Sequence, residues 1–199
     1  MTPGFDHSYG RLGRTYSSVQ QLDPVSAPQL LLWNATLAAA LEWPGDPLSD
    51  PTQLSALAGN EILQGTQPIA TAYAGHQFGQ YNPQLGDGRA TLLGEWVTSA
   101  GDRFDVQLKG AGPTPYSRGG DGRSPVGPVI REYLVSEAMS ALGVPTTRAL
   151  AAISSGDPVY RNRLEPGAVL TRVASSHLRV GTVQYFAMTR NGEGLAELV

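Results

Sequence analysis

The sequence predicts an α+β fold: an antiparallel sheet, a helix that carries a glutamate against it, and a helical extension on the N-terminal side. Three observations lead there. Residues Arg103 to Lys109 alternate apolar and polar (Phe104, Val106, Leu108 against Asp105, Gln107, Lys109), the two-residue period of a half-buried strand. Residues Pro128 to Leu142 instead place Val129, Ile130, Tyr133, Leu134, Ala138, Ala141 and Leu142 on one helical stripe, with Glu132, Val135 and Met139 on an adjoining face. Glycine-bearing turns such as Asp87-Gly88 join neighbouring strand candidates, which makes the pairing antiparallel.

In chain order, residues 1–26 show no sustained period and read as an extended arm. Pro28 to Leu41, with Leu30, Leu31, Trp33, Leu37, Ala38 and Leu41 on a helical spacing, predicts a helix that proline opens. A second helix is expected from Asp50-Pro51, with Asp50 as N-cap, to Gly59-Asn60. Pro68 to Ala74 and Ala90 to Val97 read as strands of one hairpin, and Arg103 to Lys109 follows. A loop with six glycines, Gly110 to Gly127, leads into the helix opened by Pro128 and closed by Gly143 and Pro145. Thr146 to Ile153 and Ala168 to Ala174 complete the strands, with a turn around Gly156-Asp157-Pro158.

Composition narrows the function classes. With 41% hydrophobic and 16% charged residues over 199 positions, the chain can bury a core. A net charge of −3 argues against a general nucleic-acid binder. Residues 1–85 hold two of the basic side chains and residues 86–199 hold 12, which suits a local anionic ligand better than a long polyanion. The absence of cysteine removes disulfides, thiolate zinc sites and a cysteine nucleophile, and fits a reducing compartment. His7, His76 and His177 lack metal-ligand spacing and read as hydrogen-bonding histidines. No run approaches the ~20 apolar residues of a membrane span, and the N-terminus lacks a signal-peptide layout. The expectation is a soluble cytoplasmic protein without membrane or nucleic-acid partners.

Lys109 is the only lysine among 14 basic residues. An ammonium is a compact, mobile point charge. At the junction of strand and glycine-rich loop it either reaches a phosphate and a carboxylate together or is a leftover surface lysine. Glu132, beside a semi-buried stripe, needs a partner. Lys109 is one, and Arg131, Arg148 or water are the others. Gly86-Asp87-Gly88-Arg89 suits phosphate, because backbone amides can approach without side chains; an ordinary hairpin turn is the more common explanation of such a tetrapeptide taken alone. Arg172 and Arg179 either converge on one phosphate or form solvated surface.

The order of hairpin, strand ending in lysine, glutamate-bearing helix and two further strands is the layout of a protein-kinase N-lobe, where the strand lysine holds phosphates and the glutamate positions it. The usual strings differ. G-x-G-x-x-G-x-V is absent, Val106-Gln107-Leu108-Lys109 stands in place of V-A-I-K, and no Walker A pattern occurs.

Several long strings resemble the SelO/YdiU family. They are Tyr73-Ala74-Gly75-His76-Gln77-Phe78-Gly79, Leu85-Gly86-Asp87-Gly88-Arg89, the run from Gln107 to Arg123, Arg131-Glu132-Tyr133, Gly143 to Arg148, and Thr171 to Arg179. The likeness runs from Phe5-Asp6 onward. It implies a protein-kinase-like N-lobe and adenylyltransferase activity, with ATP bound in a flipped orientation and AMP passed to Ser, Thr or Tyr hydroxyls of proteins with Mg2+ or Mn2+. By the same resemblance, Lys109 binds phosphate and Glu132 positions it. Gly86, Gly88, Arg89, Asp121 and Gly122 become nucleotide contacts, and Arg172 and Arg179 hold the distal phosphates. Residues 1–66 would be an arm and helices packed on the lobe, 67–190 the nucleotide-binding lobe, and 191–199 the start of a truncated C-lobe. Family members are longer, so the catalytic aspartate and the metal ligands are expected beyond Val199. The chain reads as an N-terminal fragment, inactive alone. The alternatives are a kinase-type phosphotransferase and a non-catalytic nucleotide-binding module.

Overall fold

The structure, a computed structural model, describes residues 2–198. The chain runs β1 (Gly4–Asp6), α1 (Ser8–Arg11), β2 (Ser17–Val19), β3 (Gln29–Trp33), α2 (Ala35–Ala40), α3 (Pro51–Ala58), β4 (Ile69–Thr71), β5 (Gly75–Gln77), β6 (Gln80–Asn82), β7 (Ala90–Val97) and β8 (Arg103–Lys109). It continues through β9 (Ser124–Pro125), α4 (Val126–Ala141), β10 (Arg148–Tyr160), β11 (Leu164–Ala174), α5 (Val180–Met188) and α6 (Gly192–Leu198). The main sheet has the order β2-β4-β7-β8-β11-β10-β3, with β1 on β7 and β9 on β11; β5 and β6 form a separate ribbon. Every pairing among the described residues is antiparallel.

Strand alternation sorts side chains to two faces. Val106 and Leu108 of β8 and Val169 and Val173 of β11 point to one face, where they pack with Leu37, Leu41, Leu57 and Ala58 of the α2 and α3 region. Ala168 and Leu170 point to the other face, against Val129 and Tyr133 of α4. Each fully buried Leu or Val contributes roughly 1.5–3 kcal/mol. Trp96 anchors the first face, donating from Nε1 to the Leu41 carbonyl at 2.7 Å. Gln107, Lys109 and Arg172 belong to the α4 side, and this parity brings them together.

β7 and β8 have the predicted bounds. So does α3, whose Asp50 side chain accepts from Thr52 N at 2.9 Å and whose C-cap Gly59 lies at φ +90°. Elsewhere the structure differs. The arm predicted over 1–26 contains β1, β2 and α1. Glu95 fixes its entry by accepting from Ser8 N at 2.5 Å and Tyr9 N at 3.1 Å. The predicted helix from Pro28 is instead β3 followed by the short α2. Pairing of β3 with β10 overrides the helical spacing, and Asn34 caps the helix late by accepting from Leu37 N at 3.0 Å. β4 keeps only Ile69–Thr71 of its predicted length, and the β5–β6 ribbon is inserted before β7.

α4 starts at Val126, two residues early, because proline fits anywhere in the first turn. Its buried face is Val129, Tyr133 and Ser136, whereas Leu134, Ala138 and Leu142 of the predicted stripe are exposed. β10 runs through the turn predicted at Gly156-Asp157-Pro158, which is a register shift between Ser154 and Pro158 with Gly156 at φ +78°. The true turn lies at Arg161–Arg163. After β11, α5 and α6 close against the N-terminal segment: the Tyr16 ring lies 4.6 Å from the Phe186 ring, and its hydroxyl donates to the Gly194 carbonyl at 3.0 Å. Among the described residues no helix is long and apolar enough to cross a membrane.

Candidate functional site

Lys109 ends β8, and Arg172 stands on the adjacent β11 directly across from Gln107. Glu132, one helical turn past Val129 on α4, reaches both cations. Lys109 Nζ donates to Glu132 Oε2, and Arg172 Nη1 donates to Oε1 at 3.1 Å. Arg131 and Arg148 do not take this carboxylate; Arg148 binds Glu137 instead, at 2.7 Å. The three groups are mostly buried, so their charges act through a lower dielectric than surface pairs do.

The Gly86-Asp87-Gly88-Arg89 turn and the loop after β8 are stapled together. Thr114 Oγ1 donates to the Asp87 carbonyl and Ser117 Oγ to the Gly88 carbonyl, each at 2.6 Å. The Tyr116 ring lies over Gly86, whose φ is +59° and where a Cβ would come within 2.2 Å of the ring. Gly122, at φ +65°, has Gly112 backbone 2.0 Å from an added Cβ. Both positions therefore require glycine on steric grounds alone. The Asp87 side chain turns inward and accepts from Thr71 Oγ1 at 2.6 Å.

Arg179 is the residue before α5. Its guanidinium lies 4.8 Å from the Tyr73 ring centroid and 3.9 Å from Asp87 Oδ1.

These parts enclose a cavity of about 690 Å³. Gly86, Gly88, Arg89, Lys109, Asp121, Gly122, Arg172 and Arg179 all line it. Glu132 stands behind Lys109 rather than on the wall. The Asp121 carboxylate is engaged by Arg161 at 2.8 and 3.0 Å. Arg118, Arg123 and Arg161 join the lining, giving, among the described residues, seven cations against two carboxylates, Asp87 and Asp121. That imbalance, in a cleft of ligand size, suits a molecule bearing several negative charges.

Burial and the neighbouring charges pull the cluster in opposite directions. Burial, then the Arg172 charge, pull Lys109 below the usual amine value against the opposing pull of Glu132. Burial raises Glu132, but the Lys109 hydrogen bond and the Arg172 and Lys109 charges outweigh it, so its carboxyl sits below the ordinary range. Burial, chiefly, lowers Arg172. The Tyr73 hydroxyl is pushed up to about 12 by burial and then by Asp87.

Sequence reasoning missed Gln107, Asp87 as a buried acceptor, Tyr73, and the Thr114 and Ser117 staples. A polar Gln between Val106 and Leu108 on a strand was the available signal for the first. His177 also departs from expectation. It lines a second cavity of about 300 Å³, and its ring nitrogens, buried, have no hydrogen-bond partner among the described residues. Nδ1 is 3.7 Å from Asp105 Oδ2.

The family model described as protein adenylyltransferase SelO matches residues 1–199. A protein nucleotidyltransferase YdiU of Maridesulfovibrio salexigens is 56% identical over 194 residues, covering 98% of this chain and 39% of the relative. Its namesake in Methylorubrum populi is 57% identical over 194 residues, with the same coverage. In Ruegeria pomeroyi the corresponding protein is 60% identical over 183 residues, covering 92% and 38%. The chain thus spans about two-fifths of the length of these relatives.

Proposed function

The chain belongs to the SelO family, and from that premise we propose that it is the ATP-phosphate-binding part of a protein adenylyltransferase that passes AMP to Ser, Thr or Tyr hydroxyls of proteins. The observation that carries this reading is the convergence of Lys109, Arg172, Arg179 and Arg89 on one cavity, with Glu132 holding two of them. The sheet with α4 is read as a kinase-like N-lobe over residues 67–190, to which residues 1–66 add the strands β1, β2 and β3.

In AMP transfer the substrate oxygen bonds to the α-phosphorus. The bond from that phosphorus to the bridging oxygen of the β-phosphate breaks, and pyrophosphate leaves with the electron pair. Negative charge grows on the leaving group, so cations are needed at the distal phosphates as well as at the α-phosphate. Lys109 suits the nearer phosphates, and Arg172 with Arg179 the distal pair. Backbone around Gly86, Gly88 and Gly122 lies on the cavity wall, with Arg89 and Asp121 at its rim. The base that takes the hydroxyl proton is assigned to the part of the relatives that this chain does not span.

The resemblance also implies Mg2+ or Mn2+, and the residues present do not fit such an ion. Asp87 is bound to Thr71 and Gln107, and Asp121 to Arg161. Among the described residues no group of three or more His, Asp or Glu is placed to hold a metal. The 199-residue chain is accordingly proposed to bind nucleotide without transferring it.

Incubating a full-length relative and a protein acceptor with α-labelled and, separately, γ-labelled ATP tests the reaction. Label from the α-position only is expected; label from the γ-position only marks a kinase-type phosphotransferase and overturns adenylylation.

A further inference from the structure

A buried amide lies between the two arginines assigned to the distal phosphates. Gln107 is 0% exposed and sits between Val106 and Leu108, which point to the opposite face. Its Oε1 accepts from Arg172 Nη2, and its Nε2 donates to Asp87 Oδ2 at 3.4 Å. Asp87, 2% exposed, is itself fixed by Thr71, which donates from its backbone N at 3.2 Å and from Oγ1 at 2.6 Å, both to Oδ2. Its other oxygen faces Arg179 Nη2 at 3.9 Å. One polar chain therefore runs Lys109–Glu132–Arg172–Gln107–Asp87–Arg179.

The direction of the amide follows from chemistry. A carboxylate only accepts, so Asp87 fixes the Gln107 NH2 toward itself and turns Oε1 toward Arg172, which only donates. The sheet does not need this amide. An apolar side chain at a fully buried strand position avoids the cost of burying polar atoms. The amide also does what a carboxylate at 107 could not. It orients Arg172 without neutralising it, leaving three cations (Lys109, Arg172, Arg179) facing two carboxylates (Glu132, Asp87).

We infer that Gln107 and Asp87 are positioning residues that hold Arg172 and Arg179 at a fixed spacing for the β- and γ-phosphates before a nucleoside triphosphate arrives. This rests on the nucleotide reading above. Preset donors lose little freedom on binding and gain most from groups that carry the distal charge. A nucleotide that ends at the α-phosphate has nothing there for the pair to hold.

The test is calorimetric titration of the 199-residue chain with ATP and with AMP, for the parent and for Gln107→Met, which keeps the volume and removes both hydrogen bonds. The Kd for ATP is expected to rise about tenfold, corresponding to about 1.4 kcal/mol, while that for AMP changes less than about twofold. Asp87→Asn, which keeps an acceptor for Thr71 but turns an amide toward Arg179, should give the same triphosphate-selective loss, and it decides the matter if Gln107→Met does not fold. Equal losses for ATP and AMP, or no change for ATP in the folded variants, overturn the inference alone. Absence of ATP binding by the parent chain overturns the nucleotide reading and this inference with it.

Discussion

Lys109 and Arg172 stand on adjacent central strands and share one carboxylate from a helix, whereas Arg89, Arg118 and Asp121 stand on loops at the rim of the same cavity. The strand-borne half is set by sheet register: parity puts Gln107, Lys109 and Arg172 on one face, and α4 brings Glu132 to them. The loop-borne half is set by steric exclusion and by hydroxyl staples, with glycines that cannot be replaced and Thr114 and Ser117 tying one loop to the other. Cations in the first half are already paired and buried. Arg89 in the second is exposed and has no ion-pair partner among the described residues. The contrast teaches that a cleft can separate the charge that must not move from the charge that is free to meet the ligand.

The largest expected effect is on the strand-borne side. Lys109→Met should weaken ATP binding by about 10- to 100-fold, the equivalent of losing a charged hydrogen bond of ~1.5–3 kcal/mol. Isothermal titration measures it, and unchanged affinity would dissolve the distinction between the halves. On the loop-borne side, Gly86→Ala combines a positive φ with a clash on Tyr116 and should cost roughly 1–3 kcal/mol of stability. A denaturant midpoint equal to the parent's would show that the loop yields where the sheet does not.

His177, in the connector between the two arginine-bearing elements, sharpens the comparison by pH. Burial chiefly holds its folded value below the ordinary imidazole value. The unfolded chain therefore binds a proton first as pH falls. Its contribution to stability is present above about pH 6.5 and declines below it by at most about 1.4 kcal/mol per pH unit, until the folded imidazole also protonates. Urea unfolding at pH 7.5, 6.5 and 5.5 should show this slope in the parent and lose it in His177→Gln; identical slopes would mean that other groups carry the pH dependence. The smallest effect belongs to the rim. Arg161→Ala breaks a half-exposed pair with Asp121 and should cost only about 0.2–1 kcal/mol. A loss of several kcal/mol would mean that the rim is held as firmly as the strands.

Much of this was legible because local period and final face agree. β7 and β8 alternate as they lie, and α3 carries its own caps in Asp50 and Gly59. Eight candidate positions line one cavity and Glu132 backs it. Legibility failed where a distant partner decides. Leu30, Leu31 and Trp33 fall on a helical spacing with Leu37, Ala38 and Leu41, yet the segment Gln29–Trp33 pairs with β10, whose edge is open to it. Gly156-Asp157-Pro158 carries turn chemistry, but the strand absorbs it as a bulge while Asp157 accepts from Ser26 N at 3.0 Å. Gln107 reads as an ordinary polar position until Asp87, 20 residues earlier, appears beside it.

The solitary lysine also makes the chain a reporter of its own breathing. An endoproteinase that cuts only after lysine has one target here, the Lys109–Gly110 bond. That bond lies at the end of a central strand, where the Gly110 amide donates to the Arg89 carbonyl at 2.8 Å. Cutting requires the middle of the sheet to open. The cleavage rate therefore reads the lifetime of this sheet region one bond at a time, and a ligand seated over Lys109 would register as protection of that single scissile position.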